Sequence, residues 1–247
     1  LFRSSAASDV YKRQHKFGGH PNPLIGLFTG DEEIGSPSSK DIIIAEAEKA
    51  RLAFNSEPSR PSGNIVTQRK GGIFCHCAIK GVAAHSGGFF TEGRSAIQEL
   101  AHKIQALHAL TDLERGTTIN VGLVRGGQSV NTVAAEASCD IDIRYQDTAE
   151  RDDILTQVKT ICEKVYVEDT SSSFSIRGEF QPLNPSAQSK ELFALYQESA
   201  AQDDVIVEGE HSGGCADSGF IAAAGTPVIC GVGPVSYTHL RAHETGY

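Results

Sequence analysis

The sequence predicts an α/β protein whose sheet is interrupted by an inserted ferredoxin-like unit of order βαββαβ. Three observations carry this. Short apolar runs alternate with stretches of helical periodicity near both ends of the chain. A stretch rich in Ser, Arg, Pro and Gly at 59–64 separates the first such region from the middle of the chain. The segment from 69 to 176 then reads as strand, helix, strand, strand, helix, strand, the order of the split βαβ motif.

The first region opens with Leu24-Ile25-Gly26-Leu27-Phe28, an expected buried strand. Three acids come next, Asp31, Glu32 and Glu33, at its carboxyl end, where open α/β sheets place ligands. Adjacent carboxylates must be solvated, paired or metal-bound, because each raises the pKa of the next unless a cation compensates. Ser36 as N-cap and Pro37 at the first helical position predict a helix that runs through Ala47. A second strand is expected over 51–56, ending at Glu57-Pro58, and proline holds the residue before it extended. The two strand ends bring Glu33 and Glu57 toward one place.

In the insert, Ile73, Cys75, Cys77 and Ile79 alternate along an expected strand over 69–80. A glycine-rich loop at 81–88 holds His85. A helix over 94–110 places Ile97, Leu100, Ile104 and Leu107 on one face. Strands at 117–124 and within 131–145, a helix at 148–165 and a closing strand at 174–176 complete the unit. Further α/β elements lie beyond it: a helix over 186–201 with Leu192, Leu195 and Tyr196 on one face, a strand at 205–207, a polar loop at 210–217, a helix at 218–224 and a strand at 226–230.

The 247 residues suffice for one large or two modest domains. A formal net charge of −9 argues against nucleic acid as a partner. No apolar run of spanning length and no signal-peptide pattern are visible, so no membrane is expected and a cytoplasmic location is. The six scattered cysteines are expected to be reduced thiols. The chain has no methionine, and segments 1–14 and 235–247 resemble translated sequencing-adapter read-through, so both are taken as non-native.

The Gly30-Asp31-Glu32-Glu33-Ile34-Gly35-Ser36 loop, the Glu57-Pro58 strand end and Lys80-Gly81-Val82-Ala83-Ala84-His85-Ser86, in that order around a ferredoxin-like insert, resemble the dinuclear zinc peptidase and deacylase family of glutamate carboxypeptidase, acetylornithine deacetylase and succinyl-diaminopimelate desuccinylase. The ending from Gly225-Thr226-Pro227 to Gly233-Pro234 is most similar to the glutamate carboxypeptidase branch. The resemblance implies a catalytic domain split into 15–66 and 181–234 around a lid or dimerisation domain at 67–180. It implies two zinc ions per site, with cobalt an alternative, and a homodimer formed through the lid. Glu32 matches the general base, Glu33 a ligand of one zinc and Glu57 a ligand of the other. His85 matches a lid histidine that enters the partner's site and holds the oxyanion. Asn131 and Arg144 match lid residues that bind a substrate carboxylate. The implied activity is hydrolysis of an amide bond in a small peptide or N-acyl amino acid.

The family's His-x-Asp ligand pair, bridging aspartate and final histidine have no counterpart in the sequence. The expectation is a fragment that does not assemble its metal centre. The alternative is a non-catalytic dimerisation module.

Overall fold

The computed structural model describes residues 23–235. The expected first strand is absent: residues 24–28 are irregular, and Leu24, Ile25, Leu27 and Phe28 are exposed. A strand is made by a neighbour's hydrogen-bond ladder, and none of the described residues supplies one to this run. The acids lie instead on a single 3₁₀ turn, Glu32–Ile34, closed by Gly35 at φ 93°.

Helix α1, Lys40–Ala47, starts later than Ser36-Pro37 predicts. Ser36 sits at φ 51° with no exposure, so it cannot act as a cap. The Asp31 carboxylate takes over, accepting from the backbone N–H groups of Ser38 at 2.7 Å and Ser39 at 3.2 Å. These hydrogen bonds, with the Ser39 hydroxyl first among them, hold the Asp31 carboxyl below its ordinary range.

Strands β1, Ala53–Asn55, and β2, Pro58–Ser59, come next. A strand not expected from the sequence, β3, Ile65–Arg69, takes Arg69 into the first sheet, and the strand expected over 69–80 is β4, Gly71–Lys80, in the second. After β5, Ala84–His85, helix α2, Ala96–His108, is capped by the Ser95 hydroxyl, which accepts from the Gln98 N–H. Strands β6, Thr118–Gly126, β7, Thr132–Val133, and β8, Glu136–Tyr145, precede helix α3, Arg151–Glu163, and strand β9, Ser171–Phe180. The closing strand is thus ten residues where three were expected, because β9 pairs with β4 from Gly72 to Lys80.

Helix α4, Ala187–Ala201, buries Leu192, but Leu195 is 61 % exposed and lies off the face expected for it. Residues 205–207 are not a strand; the pairing falls on β10, Gly209–Ser212, inside the expected loop. Helix α5, Ser218–Ala223, and strands β11, Val228–Cys230, and β12, Gly233–Val235, complete the described chain.

The first sheet has the order β1-β11-β3-β10, with parallel β1/β11 and β3/β10 pairs. The second has the order β6-β8-β4-β9 and is antiparallel throughout. Taken with α2 and α3, this is the ferredoxin-like arrangement read from the sequence. Its core is the alternation of β4 made physical: Ile73, Cys75, Cys77 and Ile79 are buried with Leu100 and Leu107 of α2, Ile141 and Ile143 of β8, and Val158 of α3. Two short ribbons, β5 with β7 and β2 with β12, pair outside the sheets.

One ion pair lies wholly inside this unit. Lys103 and Glu99 of α2 meet at 2.8 Å with no side-chain exposure. The Lys103 ammonium also donates to the carbonyls of Ile161 and Lys164, and Glu99 accepts from the N–H groups of Tyr166 and Val167 at 2.9 and 2.6 Å. The pair therefore ties α2 to the turn after α3. Lys103→Met is expected to lower unfolding free energy by about 3–5 kcal/mol, since it strands a buried carboxylate. Adding Glu99→Gln should recover part of that loss in urea titrations followed by circular dichroism.

Candidate active site

The acidic turn is fixed from two sides. Gly35 packs against β9 so closely that a Cβ there would stand 2.8 Å from the Gly178 Cα, and its φ of 93° also favours glycine. From the other side Asp217, next to α5, accepts from the Thr29 hydroxyl at 3.0 Å and the Ser36 hydroxyl at 2.5 Å. Glu57 is seated by its own neighbours: its N–H donates to the Asn55 side chain at 3.1 Å, and its carbonyl accepts from the Gly233 N–H at 2.9 Å. A Cβ at Gly233 would stand 2.4 Å from the Ser56 carbonyl oxygen, so glycine is what lets the final loop close on this strand end.

These supports bring Glu32, Glu33, Glu57 and Asp217 into one electrostatic group. Burial, then the charges of Glu57, Asp217 and Glu33, push the Glu32 carboxyl up to about 7. Burial also raises Glu57, against the pull of Arg69. Arg69 is the cation of the group. It is buried, its Nε donates to Cys230 Sγ at 3.1 Å, and its Nη1 donates to the Ser212 hydroxyl at 3.3 Å and the Gly214 carbonyl at 3.1 Å.

The three lid residues singled out from the sequence are not together. Arg144 lies opposite Gly72 at the end of β4 nearest the acidic turn. Its Nε pairs with Asp142 at 2.8 Å, its Nη1 donates to Cys215 Sγ at 2.8 Å, and its guanidinium lies over Phe74 at 5.3 Å. Cys215 in turn feels the charge of Glu32, although burial is what chiefly raises its thiol pKa. His85 and Asn131 sit side by side beyond the other end of β4, where Ser86 N–H donates to the Asn131 carbonyl at 3.0 Å. Eight residue steps along β4 separate the two ends, about 25 Å. His85 is exposed, and its Nδ1 accepts from the N–H groups of Gly87 and Gly88 at 3.2 Å each.

Sequence reasoning missed Arg69, Asp217 and Cys215. Arg69 was hidden inside an expected lid strand, and Asp217 and Cys215 inside a polar loop. The signal available for Asp217 was a lone acid beside a run of small residues, Gly213-Gly214-Cys215-Ala216, which lets the chain approach another segment closely.

Among the described residues, no group of three His, Cys, Asp or Glu side chains is placed to hold a metal ion. A stable zinc site takes three or four protein ligands. Glu33 and Glu57 would offer one carboxylate to each of two ions, so the described residues do not complete the implied pair.

Residues 67–170 match the family described as a peptidase dimerisation domain. The chain is 27 % identical over 216 residues to carboxypeptidase G2 of Pseudomonas sp. (strain RS-16), covering 84 % of this chain and 50 % of that protein. It is 34 % identical over 122 residues to acetylornithine deacetylase of Myxococcus xanthus, covering 45 % of this chain and 31 % of that protein. The chain thus spans half or less of the length of these relatives. Among solved structures, an aminopeptidase PepT from Bacillus cereus superposes with a TM-score of 0.64 at 18 % identity, over 78 % of this chain and 53 % of that one. An aminobenzoyl-glutamate utilization protein from Klebsiella pneumoniae gives 0.57 at 20 %, over 73 % and 49 %. At these identities the two structures speak to the fold alone.

The raised pKa of Glu32 makes a pH prediction for the metal-free protein. A carboxyl raised in the folded state binds its proton more tightly there than in the unfolded chain, so stability falls as pH rises from about 4.5 to about 7. With a chelator present, Glu32→Gln is expected to stabilise the chain at pH 8 by about 1 kcal/mol, allowing for solvent screening of a half-buried group. The gain should vanish near pH 4.5. Urea midpoints at the two pH values measure it.

Proposed function

We propose that this chain belongs to the peptidase and deacylase family that includes carboxypeptidase G2 and acetylornithine deacetylase, and that it forms part of a zinc-dependent amide hydrolase. The observation that carries the proposal is the grouping of Glu32, Glu57 and Asp217 beside Arg69, with Arg144 linked to the same place through Cys215.

In this proposal Glu32 accepts a proton from the attacking water and delivers it to the leaving amine as the amide C–N bond breaks. A carboxylate within hydrogen-bond reach of the water and of the leaving nitrogen suits both transfers. Arg144 receives the carboxylate of a small peptide or N-acyl amino acid, for which a planar guanidinium offers a two-pronged fit. Glu33 and Glu57 are the carboxylates offered to zinc, or to cobalt in its place. His85 and Asn131 stand too far from Arg144 to meet the same small substrate within one copy, so the proposal assigns them to the site of a second copy. The lid is the dimerisation domain in this scheme, with 15–66 and 181–234 as the catalytic part. Strand β6 is an edge strand with Leu123 and Val124 half exposed, which suits pairing with a second lid. Among the described residues no helix is long and apolar enough to cross a membrane, and all six cysteines are free, which supports a reducing, cytoplasmic setting.

A second reading is favoured by the match of residues 67–170 to a peptidase dimerisation domain: the chain works as a dimerisation module without hydrolysis. Expression of the open reading frame that surrounds this chain separates the two. The enzyme reading expects hydrolysis of N-acyl amino acids or dipeptides that depends on added zinc. Glu32→Gln should lower kcat by at least about a thousandfold, and Arg144→Ala should raise KM about tenfold or more. Zinc-independent inertness toward the whole panel, with dimers still present in sedimentation equilibrium, would favour the module.

A further inference from the structure

Helices α2 and α3 cover one face of the lid sheet, and the other face is open at the end far from Arg144. That open face holds a cavity of about 450 Å³. The strand register explains why it is concave. Ala78 of β4 lies opposite Ser138 of β8 and Ser173 of β9, and Ser138 also lies opposite Arg125 of β6. This rung of small side chains forms a trough across the sheet. On one side it is bounded by the His76–Asp140 rung, on the other by Lys80 and Glu136.

The walls are charged and open to solvent. Asp140 is fully engaged, with His76 Nδ1 at 2.6 Å, Arg125 Nη1 at 3.1 Å and Arg177 Nη1 at 3.5 Å, and it is not part of the lining. It holds His76 and Arg125 at the cavity without cancelling both. Lys80 and Glu136 are directly opposite in register, yet they form no ion pair within 4.0 Å. The lining thus presents Lys80, Arg125, whose charge is shared with Asp140, and the anion Glu136. We propose that this trough is a binding site for an acidic α-amino acid, its two carboxylates meeting Arg125 and Lys80 and its ammonium meeting Glu136. The cavity has room for more than one free amino acid side chain, so an acidic residue at the end of a dipeptide presents the same chemistry.

The site lies at the opposite end of β4 from Arg144 and the acidic turn. It also backs onto the ribbon of β5 and β7, since Ala83, Thr132 and Val133 line the same cavity. A bound amino acid would press on the segment that carries His85 and Asn131. The proposal does not require the hydrolase reading, because it concerns binding only.

Titration of the 247-residue chain with L-glutamate, followed by calorimetry and by backbone amide NMR shifts, tests it. Saturable binding is expected for L-glutamate and L-aspartate, with weaker binding of glutarate, which lacks the ammonium, and none of L-lysine. Arg125→Ala and Ser138→Phe, the second of which fills the trough, should each weaken binding about tenfold or more with the melting temperature retained. Absence of L-glutamate binding at about 10 mM would overturn the site. Binding that survives Ser138→Phe but is lost in Arg144→Ala would also overturn it, by moving the ligand to the candidate active site. Equal binding of glutarate would overturn the amino-acid class.

Discussion

A guanidinium inside the first sheet sets the terms for everything around it. Arg69 ends β3 between β10 and β11, where its donors are taken by Cys230, Ser212 and Gly214. Its charge faces Glu32 and Glu57, neither of which could be brought out of water among like charges without some compensation. Three strands and the acidic turn are thereby tied to one side chain. The hydrophobic clusters of this part are small, five buried residues in one and four in another, so polar bonds carry more of its organisation than they do in the lid.

The two sheets meet through a narrow set of contacts near the same place. Gly35 touches Gly178 backbone to backbone, and Phe180, which meets Phe74 of its own sheet edge to face at 6.2 Å, stacks on Phe220 of α5 at 5.6 Å. Arg144 and Cys215 add a polar bond across the same boundary. The lid's own core lies on its opposite face, around Cys77, Leu100 and Ile143, and shares no residue with this junction. The lid can therefore be rigid in itself while its attachment rests on few side chains.

The lid was legible in the sequence because its strands and helices carry strong periodicity and find their partners within one continuous stretch. Alternation at Ile73, Cys75, Cys77 and Ile79 marks β4, and apolar spacing marks the helices over 94–110 and 186–201, whose starts the Ser95 and Ser186 hydroxyls cap in the structure. The first strand failed for the converse reason: the apolar run at 24–28 has the composition of a strand but no ladder to join. Ser36 was misread because its hydroxyl is used by Asp217, 181 residues away, and no local pattern records such a bond. The acids of the candidate site were visible as a motif. Arg69 and Asp217, which set their charge balance, were not, because electrostatic neighbours at long range leave no periodic trace.

The separation of His85 and Asn131 from Arg144 along β4 has a consequence for how such a protein would be counted. If the ribbon completes the site of a second copy, the functional unit is a pair, and each pair holds two sites with shared ancestry in both chains. Specific activity would then depend on protein concentration and fall on dilution through the monomer–dimer equilibrium. Two inactive chains, one lacking Glu32 and one lacking His85, would restore one working site when mixed, because the damage in each falls at a different address in the heterodimer.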